Sequence, residues 1–160
     1  MNIELRRYRI RPETIDGQIW IDGQKVCDCA EHGTHHLHAD TYKILLCKCK
    51  QHGRKMPLVT HGAFFDPDTG ENTLCGLCKK LPYVGNNTSM PNDCSMICPG
   101  NGVYNRTDGA ILVGKYLAPG CLSHPKSAFD NLYDRIRKNA ERGNEITLTI
   151  INKPLQTSHL

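Results

Sequence analysis

The sequence carries nine cysteines. Eight fall into close pairs: Cys27 with Cys29, Cys47 with Cys49, Cys75 with Cys78, and Cys94 with Cys98; Cys121 stands alone. Thiolates a few residues apart grip one tetrahedral metal ion without strain, and two such pairs complete a four-cysteine zinc site. The segment LCGLCKK (74–80) is the clearest unit, with Gly76 free to turn backbone amides toward the sulfurs. Its best partner is Cys94 with Cys98, because the stretch between the pairs, residues 79–93, has an ordinary zinc-ribbon length. A C-x-C on an extended strand puts both side chains on one face. If the strands around 24–29 and 42–49 are neighbours, Cys27, Cys29, Cys47 and Cys49 form a second site. The run EHGTHHLH (31–38), with His52 and His61, offers imidazoles for mixed sets. Other readings stand beside these: free cysteines pack as small hydrophobes, and pairs form disulfides in an oxidising compartment. A catalytic zinc would need an open coordination position and a base, and no H-E-x-x-H pattern occurs. The expected cofactor is structural zinc, one or two ions.

A second stretch, CPGNGVYNRTDGAILVG (98–114), has the form of a site without its chemistry. A sharp turn feeding a strand presents a side chain well, yet the residue after the turn is Ala110, which has no reactive group. Thr107 and Asp108 flank the turn, and no histidine lies nearby in sequence to activate Thr107. Gly100, Asn101, Asp108 and Gly109 are also ordinary tight-turn residues. Cys121-Leu-Ser-His124 places a thiol and an imidazole close together, although a polar cluster before a helix also serves as a cap.

The elements that must position these groups are mostly β. Ile3, Leu5, Tyr8 and Ile10 belong to a first strand ending before Pro12. Gln18–Ile21 and Gln24–Cys29 flank Asp22-Gly23, a two-residue hairpin signal in which Gly accepts positive φ. Thr41–Cys49 and Ala110–Val113 read as further strands. Ser123 is the expected N-cap of a helix with Pro125 in its first turn. Phe129, Leu132, Tyr133, Ile136 and Ala140 mark its buried stripe, and Gly143 its end. Glu145–Ile151 alternates as a strand with Ile146, Leu148 and Ile150 inward. The fold class is therefore mainly β (α+β): a small sheet or barrel-like domain over residues 1–160, with one C-terminal amphipathic helix. Residues 47–97 form a Cys/His-rich insertion, expected to be stapled by zinc.

Composition narrows the function. Hydrophobic residues make up 39% and mean hydropathy is -0.47, which is thin for burial and leaves room for a metal staple. No run approaches the ~20 apolar residues of a membrane helix. Charges in MNIELRRYRI replace the apolar core of a secretory signal, so a reducing compartment is expected. The net charge of +4 permits an anionic partner. Scattered basic residues and 6% aromatics argue against a nucleic-acid interface.

Both ends of the chain resemble an uncharacterised family of small domains from bacterial, prophage and phage genomes. The matching stretches are IELRRYRIRPETIDGQIWIDGQKVCDCAE, TYKILL, ICPGNGVYNRTDGAILVGKY and SAFDNLYDRIRKNAERGNEITLTI. In that family the third stretch typically reads Ile-His-Pro-Gly-Asn and then Gly-Cys-Ile-Leu-Val-Gly, a pattern similar to the active site of L,D-transpeptidases. There a histidine activates a cysteine that attacks a peptidoglycan stem peptide, and backbone amides stabilise the oxyanion. Here Cys98 stands where the family has histidine, and Ala110 where it has cysteine. The resemblance therefore implies a phage- or mobile-element-associated protein in the host cytoplasm or a virion. Its degenerate cleft is formed by Cys98, Gly100, Asn101, Thr107, Asp108, Gly109 and Ala110. The expected partner is a virion or host protein or a small anionic ligand. The competing expectation is a cysteine-dependent, peptidoglycan-acting enzyme with Cys98 or Cys121 as a relocated nucleophile and His124 or His61 as base.

Overall fold

In a computed structural model, residues 1–48, 55–60, 65–66, 71–72, 83–84, 95–106 and 109–154 are described. Thirteen strands lie among them: β1 (Asn2–Ile10), β2 (Thr14–Ile21), β3 (Gln24–His32), β4 (His36–Leu37), β5 (Thr41–Lys48), β6 (Lys55–Thr60), β7 (Phe65–Asp66), β8 (Glu71–Asn72), β9 (Tyr83–Val84), β10 (Ile97–Pro99), β11 (Ile111–Ala118), β12 (Cys121–Ser123) and β13 (Thr147–Asn152). One helix, α1 (Pro125–Glu141), is described with them.

The main sheet runs β10-β11-β3-β2-β1-β13-β5-β6, with β12 paired to β11. Its ends meet. Leu58 of β6 bridges Met96, and the Val59 amide donates to the Ser95 carbonyl at 3.0 Å, so the sheet curls into a barrel-like wall. Two pairings are parallel, β1 with β13 and β10 with β11; the rest of the main sheet is antiparallel. The mainly β reading is thus the observed architecture.

Local chemistry explains the joints. Asp22 (φ 52) and Gly23 (φ 78) both take positive φ, the requirement of a type I′ hairpin between strands of right-handed twist. The end of α1 is a Schellman motif: Gly143 (φ 77) donates to the Ala140 carbonyl and Asn144 to that of Asn139, which satisfies carbonyls the helix leaves open. Its start differs from expectation. His124, not Ser123, is the N-cap, in a left-handed conformation with φ 51 and no side-chain cap bond. Ser123 belongs to β12, and its hydroxyl bonds the Lys115 carbonyl and the His124 ring instead. The buried stripe of α1 is Phe129, Leu132 and Ile136, with Tyr133 partly buried against the core and Ala140 exposed.

The interior is mostly apolar, and Thr14, Asp16, Asp28 and Ser95 are buried beside the largest exception, a charged pair. On β1, Ile3, Leu5 and Arg7 alternate inward, so a guanidinium stands where the strand pattern calls for a hydrophobe. Arg7 is 2% exposed and Glu31 1%. Arg7 Nε and Nη2 bond the two Glu31 carboxylate oxygens at 2.8 and 2.7 Å, and Nη2 also donates to the Leu37 carbonyl at 2.6 Å. Burial by itself pulls the guanidinium pKa down; the charge and hydrogen bonds of Glu31 outweigh it and hold it above its ordinary value. Replacing Glu31 with Leu alone strands a buried cation and is expected to cost roughly 3–5 kcal/mol. The double replacement Arg7→Met with Glu31→Leu, which removes both charges, is expected to cost much less. Urea unfolding of the two variants measures the difference.

Candidate functional site

The cleft begins at the end of β10. Ile97 pairs with Ile111 and Cys98 with Leu112 in parallel register, which sets Cys98 beside the strand that Ala110 leads into. Cys98 and Ala110 are both 2% exposed. Ala110 is a methyl group within the core cluster. Gly109, the residue before it, takes φ 73, and its carbonyl accepts the Ser95 hydroxyl at 3.2 Å.

Over Cys98 lies a cleft of about 310 Å³, lined by Met56, Cys98, Pro99, Arg106, Lys126, Phe129 and Asp130. Four parts of the fold build it: β6, β10, the loop after β10, and the first turns of α1. Arg106 Nη2 donates to the Cys98 sulfur at 3.4 Å. Lys126 and Asp130, one turn apart on α1, pair at 2.9 Å on the outer wall. Of the residues expected from the sequence to form a cleft, Cys98 lines it. Gly100 and Asn101 serve it indirectly. A side chain at Gly100 would strike Leu112 at 2.8 Å. Asn101 accepts the Leu122 amide at 2.7 Å through its carbonyl and donates from its side chain to the Leu122 carbonyl at 3.1 Å. Thr107 and Asp108 lie outside the described residues. Sequence reading missed Met56, Arg106, Lys126, Phe129 and Asp130, which come from distant segments; a cation eight residues after Cys98 is the one local signal.

The cysteine pairs part company. Cys27 and Cys29 share a face of β3, as the C-x-C spacing requires, but that face is turned into the core. Burial, then the Asp28 charge, pushes the Cys27 thiol up to about 12. Burial, then Glu31, holds the Cys29 thiol well above its ordinary value. Both sulfurs pack among the buried apolar residues. The adjacency on which a second four-cysteine site depended is also missing, because β2, β1 and β13 separate β3 from β5. Cys98, nearly as buried as Cys29, differs in having a guanidinium N–H donor on its sulfur. Cys49, Cys75, Cys78, Cys94, His52 and His61 lie outside the described residues, as does the Cys47 side chain. Among the described residues, no three His, Cys, Asp or Glu side chains are grouped to hold a metal ion.

Cys121 is partly exposed on β12, opposite Ala118, and is not among the residues lining the larger groove beside it. That groove, about 590 Å³, is lined by Lys25, Cys27, Asp28, Lys115, His124 and Asn131, among others. Its carboxylate, Asp28, is held by Lys25 at 2.7 Å and by the Tyr116 amide at 2.8 Å. No described helix is long and apolar enough to cross a membrane.

No family model, curated protein or solved structure matches the chain.

The histidine run forms a turn rather than an open ligand set. The amides of Thr34 and His35 both donate to His32 Nδ1, at 3.1 and 3.2 Å, so that nitrogen must be unprotonated. The His36 ring bonds the His32 carbonyl at 2.9 Å. Burial and then the neighbouring His35 lower the His32 pKa; burial and then Arg7 lower that of His36. Folding thus favours the neutral rings. The stability they confer is present above the unfolded histidine pKa of about 6.5 and is lost as pH falls through it toward the lowered folded values. Thermal unfolding between about pH 8 and pH 5 is expected to show this loss. His32→Asn is expected to flatten the slope, since its amide oxygen accepts the same two N–H groups without titrating.

Proposed function

We propose that the protein is a non-enzymatic binding or assembly scaffold, associated with a phage or mobile element. Its transpeptidase-like cleft is retained for recognition without covalent chemistry. The observation that carries this reading is Ala110: at the position the resemblance assigns to the nucleophile, the chain places a core methyl that cannot form an acyl-enzyme. A formed cleft nevertheless persists beside it, walled by Phe129 and Met56 and edged by charge. In the same proposal Cys75, Cys78, Cys94 and Cys98 hold one structural zinc, with Cys98 joining the staple to the sheet and Arg106 supporting its thiolate. Zinc there would supply rigidity to the inserted segment. The partner is a virion or host protein or a small anionic ligand.

One observation favours a second reading. A guanidinium donor at 3.4 Å from the Cys98 sulfur would also activate a relocated nucleophile, making the protein a cysteine-dependent, peptidoglycan-acting enzyme. Metal content and thiol reactivity, measured on protein purified under reducing conditions without added metal, separate the two. The scaffold reading expects about one zinc per chain, with Cys98 protected from iodoacetamide until a chelator is added. Metal-free protein in which Cys98 alkylates fastest, together with release of a terminal residue from a cell-wall tetrapeptide, would replace it with the enzyme.

A further inference from the structure

We propose that the outer face of the sheet across β1, β2 and β3 binds single-stranded nucleic acid. Trp20 and Arg6 form its stacking platform for a base, and Arg9 receives a phosphate. This goes beyond the reading of the Cys98 cleft and is independent of it, since none of these three residues lines that cleft.

Strand register assembles the face. With Ile3, Leu5 and Arg7 turned inward, Glu4 and Arg6 point outward, since side chains alternate along a strand. Glu4 lies opposite Trp20, and Trp20 opposite Lys25. In the next row Arg6 lies opposite Gln18, and Gln18 opposite Asp28. A register shift between Arg7 and Arg9 then carries Arg9 to a place opposite Asp16. Basic residues scattered along the sequence thus become neighbours on one surface, where Arg9 is exposed and Arg6 and Trp20 are partly exposed.

Two units of arginine and aromatic ring stand on this surface. The Arg6 guanidinium lies 4.1 Å from the centre of the Trp20 ring, and the indole N–H donates to Gln18 Oε1 at 3.1 Å, which fixes the ring's orientation. A guanidinium plane and an aromatic ring are both surfaces on which a base stacks. The Arg9 guanidinium is 5.6 Å from the Tyr8 ring centre and 5.8 Å from that of Tyr116, and its Nη1 donates to the Tyr116 hydroxyl at 3.4 Å. Burial, then the Asp16 charge, pushes the Tyr8 hydroxyl up to about 12, so that ring stays neutral beside the cation. The carboxylates of the face are already engaged. Glu4 accepts from Arg6, Asp16 from Arg11 at 2.6 Å and the Gly120 amide at 3.1 Å, and Asp28 from Lys25 at 2.7 Å and the Tyr116 amide at 2.8 Å. Arg9 has no carboxylate partner among the described residues. A guanidinium positioned by rings and left unneutralised is complementary to phosphate oxygens. An acidic peptide would use that cation alone; the stacking surface beside it is what favours a nucleic acid.

The test is titration of the full chain at low salt with a thymidine oligonucleotide of about 12 nucleotides, a DNA duplex of equal length, and polyglutamate. The readout is the fluorescence of Trp20, the single tryptophan of the chain. The single strand is expected to quench it and to bind at least about tenfold more tightly than either other probe, the worth of one stacked base. Its affinity is expected to fall with salt at a log–log slope of about −0.7 for each phosphate held, and Arg9→Ala to remove one such increment. Trp20→Leu, followed by anisotropy of a labelled oligonucleotide, is expected to weaken binding at least about fivefold. Equal or tighter binding of polyglutamate would overturn the inference in favour of an acidic protein partner, and tighter binding of the duplex would overturn the single-strand assignment. Oligonucleotide binding that leaves Trp20 fluorescence unchanged would remove it from this face. No binding at low salt would sink it outright, without touching the reading of the Cys98 cleft. The probe comparison uses the unaltered protein, so poor folding of a variant does not obscure the outcome.

Discussion

The ion pair of Arg7 and Glu31 is the constraint around which the rest of this fold is arranged. A strand whose inward face reads Ile3, Leu5, Arg7 must either expose its third position or satisfy a guanidinium inside the sheet. The chain does the latter by supplying partners from three other segments: the Glu31 carboxylate on β3, the Leu37 carbonyl on β4 and, at longer range, the Asn152 side chain on β13. Desolvating two charges is costly, and their attraction offsets that cost only when geometry and hydrogen bonding are good. The pair therefore tolerates little slippage between β1 and β3, two strands apart, and the register of the strand between them is set with them. The same bond fixes Leu37, hence β4, hence its pairing with β9 in the Cys/His-rich segment. One buried cation so links the sheet to the Cys/His-rich segment.

The cleft depends on a second chain of constraints. Asn101 bonds both backbone groups of Leu122 and so holds β12 against the loop after β10. From β12 the chain enters α1 directly through His124, whose left-handed conformation makes the turn that a capping serine would ordinarily ease. Lys126, Phe129 and Asp130 follow within two turns and become the cleft wall. Gly100 and Asn101 thus matter to the site without lining it: they place the helix that does.

Much of this was legible in the sequence, and the parts that were not share a physical cause. Asp22-Gly23, the alternation of Ile146, Leu148 and Ile150, the helical stripe as far as Ile136 and Gly143 are local signals that appear in the structure as read, whereas Ala140 at the end of the stripe is exposed. Arg7 was invisible because a charge in an alternating strand is read outward; its inward turn is decided by Glu31, twenty-four residues away. The C-x-C rule correctly put Cys27 and Cys29 on one face. Which way that face points is decided by β2 and β11 on either side of β3, not by spacing. The parallel pairing of β1 with β13 joins the two ends of the described chain, and the meeting of β6 with Met96 closes the curl. Neither leaves a mark in any short window. The cleft is legible at Cys98 alone, since Met56 and Phe129 reach it only through that closure.

Cys98 is where the readings of this protein converge, and what decides between them is the state of its sulfur. The Arg106 donor lowers the cost of a negative sulfur in either case. As a zinc ligand that sulfur would share its lone pairs with the metal and lose reactivity. As a free thiolate it would be a nucleophile that substrate reaches only through the cleft, because the side chain is otherwise closed off at 2% exposure. An acyl-transfer site needs a base to move the proton and donors for the oxyanion. Around this sulfur the cleft supplies Arg106 and Lys126, which are cations at neutral pH, and Asp130, already engaged with Lys126. Cations hold an anionic ligand well and abstract protons poorly. The chemistry of the described lining is therefore a ground for proposing recognition rather than turnover, separate from the ground that Ala110 gives.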